Sequence, residues 1–93
     1  MYQFIHELEN IIRERQEKLP AGSYTAKLFQ GGQDRILKKI GEEAGEVIIA
    51  AKNGNLTEIK NESADLLFHL LLVLRTHNLS FEDVVATLKG RHH

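Results

Sequence analysis

The sequence predicts an all-α fold, a bundle of four to five helices. Three observations carry this. Apolar residues recur at helical spacing through most of the chain. The periodic segments are separated by breaks at Pro20-Ala21-Gly22, Gly31-Gly32, Gly54 and His77-Asn78-Leu79. One long segment, Leu66 to Leu74, is apolar nearly all round, so it has to be covered on every side.

The first helix is expected over residues 3–18. Phe4, Ile5, Leu8, Ile11 and Ile12 fall on one face, with charged residues elsewhere. Pro20-Ala21-Gly22 stops it. Ser23 is a cap for a short turn over Ala26-Lys27-Leu28-Phe29. Gly31-Gly32 reads as a loop, without the pattern of a phosphate-binding P-loop. A long helix then runs from Asp34 to Asn53, with Leu37, Ile40, Ala44, Val47 and Ala51 as a heptad-like seam. At about 100° per residue from Ile40, the seam centres near 25°. On the same scale Glu43 falls near about −60°, Lys39 near −100° and Glu46 near −120°, a strip along one edge of the seam. Glu42 lies toward the back. Gly54 ends this helix. Asn55 or Thr57 caps the next, which runs to about Thr76 and aligns Glu58, Glu62, Asp65 and His69 on one face. A last helix begins at Ser80 with acids in its first turn. Gly90-Arg91-His92-His93 reads as a tail.

Composition narrows the functional classes. At 93 residues the chain makes one domain, residues 1–93, near the small end of what folds alone. A core that thin, and the all-round apolar helix, lead us to expect a homodimer. Net charge is −1, which disfavours nucleic acid. There is no cysteine, hence no disulfide and no thiolate metal site. The apolar run Leu70 to Leu74 is too short for a membrane span, and Glu7 stands where a signal peptide needs basic and then apolar residues. A cytoplasmic location is expected.

The chemistry is expected at the acids. Glu43 and Glu46 stack one turn apart, as do Glu62 and Asp65. If the two helices pack antiparallel, four carboxylates meet in a small volume and repel. A hard divalent cation with oxygen ligands turns that repulsion into binding. Glycosidase chemistry needs fewer acids, and a di-iron site needs Glu-x-x-His where Glu62 is followed by Asp65. All-oxygen ligands favour Mg²⁺, with Mn²⁺ as a substitute. Mg²⁺ on carboxylates works on phosphates, and Lys27, Lys38 and Lys39 are at hand for phosphate oxygens.

Glu-Glu-x-x-Glu at 42–46 followed by Glu-x-x-Asp at 62–65 resembles the all-α nucleoside triphosphate pyrophosphohydrolase superfamily, which includes MazG and dimeric dUTPases. Ser23-Tyr24-Thr25-Ala26-Lys27-Leu28-Phe29, the Lys38 to Glu46 stretch and Asp65-Leu66-Leu67-Phe68-His69-Leu70-Leu71 resemble, within it, the phosphoribosyl-ATP pyrophosphohydrolase family of histidine biosynthesis. The resemblance covers most of residues 23–92. It implies a MazG-like antiparallel helical bundle completed by dimerisation. It implies hydrolysis of phosphoribosyl-ATP to phosphoribosyl-AMP and pyrophosphate, with water attacking the α-phosphorus. Glu43, Glu46, Glu62 and Asp65 match the metal positions, with Glu42 nearby as ligand or base, so the catalytic residues are expected among Glu42, Glu43 and Glu46. A separate phosphoribosyl-AMP cyclohydrolase, which takes the next step, is the expected protein partner. Two other readings stay open: a house-cleaning nucleoside triphosphate pyrophosphatase with the same metal site, and a non-catalytic helical dimerisation module.

Overall fold

The computed structural model describes residues 2–91 and shows five helices, with no strand among them. They are α1 (Gln3–Lys18), α2 (Tyr24–Gln30), α3 (Gln33–Asn53), α4 (Leu56–Thr76) and α5 (Phe81–Arg91). The expected tail is therefore partly helical, since α5 takes in Gly90 and Arg91; His92 and His93 lie outside the described residues.

Each end has a local cause. α1 stops where Leu19 turns left-handed, φ 47°, and Pro20 cannot continue the helical bonding. Ser23 caps α2 by accepting a bond from the Ala26 amide at 3.1 Å. Gly54, at φ 65°, closes α3 with its amide bonded to the carbonyls of Ala50 and Ala51. Asn55 caps α4 by accepting from the Glu58 amide at 3.1 Å, which decides between Asn55 and Thr57. Ser80 and Asp83 form a reciprocal cap at the start of α5. The Asp83 carboxylate accepts from the Ser80 amide at 2.8 Å, and Ser80 Oγ accepts from the Asp83 amide at 3.4 Å.

Gly54 and Asn55 alone join α3 to α4, so the two long helices fold back as an antiparallel hairpin. At its far end Thr76 Oγ1 donates to Gln33 Oε1 at 3.3 Å, which places the end of α4 beside the start of α3. α1 and α2 cover one side of this hairpin. The core between them is Ile12 of α1, Leu28 of α2, Ile36 of α3, and Leu71, Leu72 and Leu74 of α4. Arg75 Nε donates to Gln16 Oε1 at 2.8 Å and ties α4 to α1. α5 is held at its start, where the Phe81 amide donates to Glu9 Oε2 at 2.9 Å and His6 meets Glu82 at 3.0 Å.

Two expectations shift. The inward line of α3 is Ile36, Glu43 and Ala50, all buried, rather than the seam centred on Ile40 and Ala44. These residues are seven apart, so they stack on one face at about −60° on the scale used above. Glu43 therefore lies in the middle of the inward face, not along its edge. Leu37 and Ile48, on the other flank of the seam, stand exposed. The seam is wider than one partner helix can cover, and α4 takes the flank that carries Glu43. Second, the apolar half of α4 is largely satisfied within one chain. Leu71, Leu72 and Leu74 are buried, Leu66 and Leu67 are half-buried, and Leu70 is exposed.

Leu72 is fully buried at the centre of this core. Leu72→Ala is expected to lower unfolding stability by about 2–5 kcal/mol through lost burial and the cavity left behind. Urea unfolding followed by circular dichroism measures this. A loss well under about 1 kcal/mol would contradict the packing of α4 against α1 and α2.

Candidate metal centre

The hairpin register builds the acidic cluster. In an antiparallel pair turned at Gly54-Asn55, Glu43 comes level with Asp65 and Glu46 with Glu62. Within each helix the two acids are three apart and share a face. Glu43, Glu62 and Asp65 each offer one oxygen, and these oxygens lie within 4.8 Å of one another. Glu43 is only 8% exposed, Glu62 is half-buried and Asp65 is open to solvent. Glu46, exposed, adjoins both Glu43 and Glu62.

Proton affinities reflect this crowding. Burial, first, and then the charge of Glu46 raise the Glu43 carboxyl above its usual 4.5; Asp65 adds to this and His69 opposes it. Glu62 is pushed up to about 7. The main cause is a proton shared with Glu46, followed by burial and by the charge of Glu46. Two carboxylate oxygens in contact attract only when a proton or a cation lies between them. Glu43 Oε2 and Glu62 Oε2 are buried without a hydrogen-bond partner. An orphaned buried anionic oxygen is costly, and two of them aimed at one cluster suit a cation that takes oxygen ligands. The donor set holds no sulfur and no ring nitrogen, so it fits Mg²⁺ or Mn²⁺ better than zinc.

The other predicted residues are placed less centrally. Glu42 is exposed, outside the group of mutually close oxygens, and one turn before Glu46 on the solvent side. Lys39 is half-buried on the face of α3 that carries Glu43, four residues before it. Lys38 is exposed toward the back of α3, and Lys27 is exposed on α2. None of the three lysines forms an ion pair among the described residues. A cavity of about 220 Å³ lies elsewhere, between α1, the end of α4 and Leu79-Ser80, with Arg13 and Arg75 in its wall. The donor set, rather than concavity, marks the cluster as the candidate centre.

Two further residues stand beside the cluster. His69 is 5% exposed, with Nδ1 at 2.8 Å from the Asp65 carbonyl oxygen and Nε2 at 2.9 Å from the Tyr24 hydroxyl. The alignment of His69 with Glu62 and Asp65 on one face was a usable signal for it. Nothing in the sequence pairs Tyr24 with a residue 45 positions away.

A scan against protein families matches residues 5–92 to the phosphoribosyl-ATP pyrophosphohydrolase model. The chain is 57% identical to a histidine biosynthesis bifunctional protein of Bacillus subtilis, over 95% of this chain and 42% of that protein. It is 53% identical to a phosphoribosyl-ATP pyrophosphatase of Leptospira biflexa, over 97% of this chain and 98% of the relative. Likeness to the enzyme of that name in Pelotomaculum thermopropionicum is 55%, over 94% and 89%. The chain thus spans about two fifths of the bifunctional relative and most of the length of the other two.

The raised pKa of Glu62 sets a pH dependence for the metal-free protein. The folded state holds a proton up to about 7 that the unfolded chain gives up near 4.5. Its contribution to stability is therefore full below about 4.5 and is lost as pH rises through about 7. Melting temperature in chelator is expected to fall between pH 5 and pH 7.5. Added Mn²⁺ is expected to raise it at pH 7.5 and to do little at pH 5, where protons compete with the ion. A metal-free melting temperature that rises steadily across this window would contradict the cluster.

Proposed function

The chain belongs to the phosphoribosyl-ATP pyrophosphohydrolase family, and on that premise we propose that it hydrolyses phosphoribosyl-ATP to phosphoribosyl-AMP and pyrophosphate in histidine biosynthesis. The observation that carries the proposal is the carboxylate cluster of α3 and α4, with its two buried, unpartnered oxygens. Relatives that carry the name of this activity match along nearly their whole length.

Glu43, Glu46, Glu62 and Asp65 would hold Mg²⁺, with Mn²⁺ as a substitute. When bound, the ion neutralises phosphate charge and acidifies a coordinated water. The remaining work falls to the chain itself. Four carboxylates and a polyphosphate repel, so the lysines matter for approach as well as for turnover. Lys39, half-buried beside Glu43, donates to phosphate oxygens; Lys27 on α2 adds positive charge, and Lys38, toward the back of α3, contributes only at longer range. Glu42 stands on the open flank of the cluster and takes the proton of the attacking water. The new bond forms between that water's oxygen and the α-phosphorus. The bond to the bridging oxygen breaks, and pyrophosphate leaves with the electron pair.

The proposal includes a homodimer. Leu37, Ile48, Leu56 and Leu70 are exposed on the hairpin, with Ile48 at 63% and Leu56 at 74%. Leu37, Gly41, Ala44, Ile48 and Ala51 follow one another at spacings of four and three, a stripe with small residues that lets a second helix pair come close. A second copy of the chain is the occupant proposed for it. The protein acts in the cytoplasm, and a phosphoribosyl-AMP cyclohydrolase that receives the product is the second partner. The Bacillus subtilis relative is named as bifunctional in histidine biosynthesis, which is consistent with a second activity of that pathway working beside this one. No helix among the described residues is long and apolar enough to cross a membrane.

The decisive assay is turnover of phosphoribosyl-ATP, dCTP, dUTP and dITP with and without Mg²⁺. We expect phosphoribosyl-ATP to be preferred, intact pyrophosphate as product, and no turnover in excess chelator. Glu46→Gln keeps shape and removes charge. It is expected to lower kcat by about 100-fold or more, with a metal-free melting temperature equal to or above that of the parent protein. Release of orthophosphate alone, or full activity in chelator, would sink the mechanism.

Ile48→Asp places a charge in the proposed dimer face without touching the core. Sedimentation is expected to show the parent protein as a dimer at micromolar concentration and Ile48→Asp as a folded monomer. A parent protein that sediments as a monomer would remove the dimer from the proposal and leave the chemistry standing.

A further inference from the structure

We infer that Tyr24 is a positioning residue for the metal centre, acting through His69. The inference rests on the metal-dependent reading above and goes beyond it by adding two residues that the acidic pattern does not contain.

The hydrogen bonds determine the state of His69. The Asp65 carbonyl can only accept, so Nδ1, at 2.8 Å, carries the hydrogen. Nε2 of a neutral imidazole is then the acceptor, and the Tyr24 hydroxyl donates to it at 2.9 Å. Both ring nitrogens are thereby committed, one to the backbone of the turn that carries Asp65 and one to α2. The ring is 5% exposed and stands edge-on to Tyr24 at 84° and to Phe68 at 80°, so packing holds it in this orientation as well. The Tyr24 hydroxyl to His69 bond is the side-chain hydrogen bond that joins α2 to α4 among the described residues.

Tyr24 is 49% exposed. A ring half open to solvent adds little to the core, so its hydroxyl bond is the main contact it gives the site. α2 has seven residues. A helix that short takes its placement from tertiary contacts rather than from its own stability. Its apolar side is fixed by buried Ala26 and Leu28, and its first residue is fixed by the bond to His69. The brace therefore sets where α2, with Lys27 one turn on, stands relative to Asp65. Tyr24 stands two hydrogen bonds from the main chain of Asp65, so the brace acts on the Asp65 carboxylate through the backbone that carries it, without touching the ion.

Tyr24→Phe removes the hydroxyl donor and keeps the ring. Mn²⁺ affinity, measured by calorimetry, is expected to weaken about tenfold, with helicity by circular dichroism unchanged. Nitrogen-15 spectra of the imidazole are expected to show a protonated Nδ1 and a hydrogen-bonded, unprotonated Nε2 in the parent protein. In Tyr24→Phe the Nε2 signal should move to that of an unbonded nitrogen. His69→Phe removes both bonds, and Tyr24→Phe/His69→Phe should bind Mn²⁺ no more weakly than His69→Phe alone, because the two residues act in series. If Tyr24→Phe by itself fails to fold, the double variant, which leaves no orphaned nitrogen, decides the question. The inference is overturned if Tyr24→Phe binds Mn²⁺ as the parent does, if the two losses add, or if the double variant binds with parental affinity. A parent protein that binds no Mn²⁺ would instead count against the metal reading itself.

Discussion

Like-charge repulsion across the α3–α4 hairpin is the constraint on which the rest of the structure depends. Glu43 occupies an inward position of α3 that stacks with Ile36 and Ala50, where a helix pair of ordinary design would place a leucine. It faces Asp65 and Glu62 across the hairpin, with Glu46 one turn away. Burial and mutual charge raise the proton affinity of Glu43 and Glu62, so by itself the cluster is a place where the protein is less stable than its packing allows. A cation would relieve that conflict, and this is the ground on which the cluster is proposed as a functional feature rather than a solvated acidic face.

The hairpin tolerates the conflict because it is anchored on either side of it. At the turn, Gly54 and Asn55 close α3 and cap α4 with backbone and side-chain bonds. At the other end, Ile36, Leu71, Leu72 and Leu74 pack with Ile12 and Leu28 in the main core, and Arg75 bonds Gln16. The acids sit between these anchors. Hydrophobic burial at one end and a tight turn at the other leave the two helices no cheap way to splay apart. The register that brings Glu43 level with Asp65 is thus held by residues that have no part in the chemistry.

α2 connects the two roles of the molecule. Its inner side supplies Ala26 and Leu28 to the core, and its first residue reaches His69 beside the cluster. Ser23 caps the helix and also accepts from Arg15 at 3.4 Å, which couples the end of α1 to the same point. The same short element therefore touches both the core and the histidine that stands beside the acids.

The sequence by itself determined the long helices, most of their ends and the identity of the acids; α2, a helix from Tyr24 rather than a turn from Ala26, and the last turn of α5 were the exceptions. Helical spacing, Pro20, Gly54 and the caps Ser23 and Ser80 act over a few residues, so they are legible without knowledge of distant contacts. The i, i+3 pairs Glu43–Glu46 and Glu62–Asp65 are equally local. Only the tertiary structure decided which flank of the α3 seam faces inward. Apolar residues line both flanks, and periodicity cannot say which one α4 covers. That choice moved Glu43 from an edge to the buried face and left Leu37 and Ile48 outside. The tertiary structure also decided that Tyr24 meets His69, a contact between residues far apart in the chain, which depends on how α2 lies against α4 and has no counterpart in local pattern.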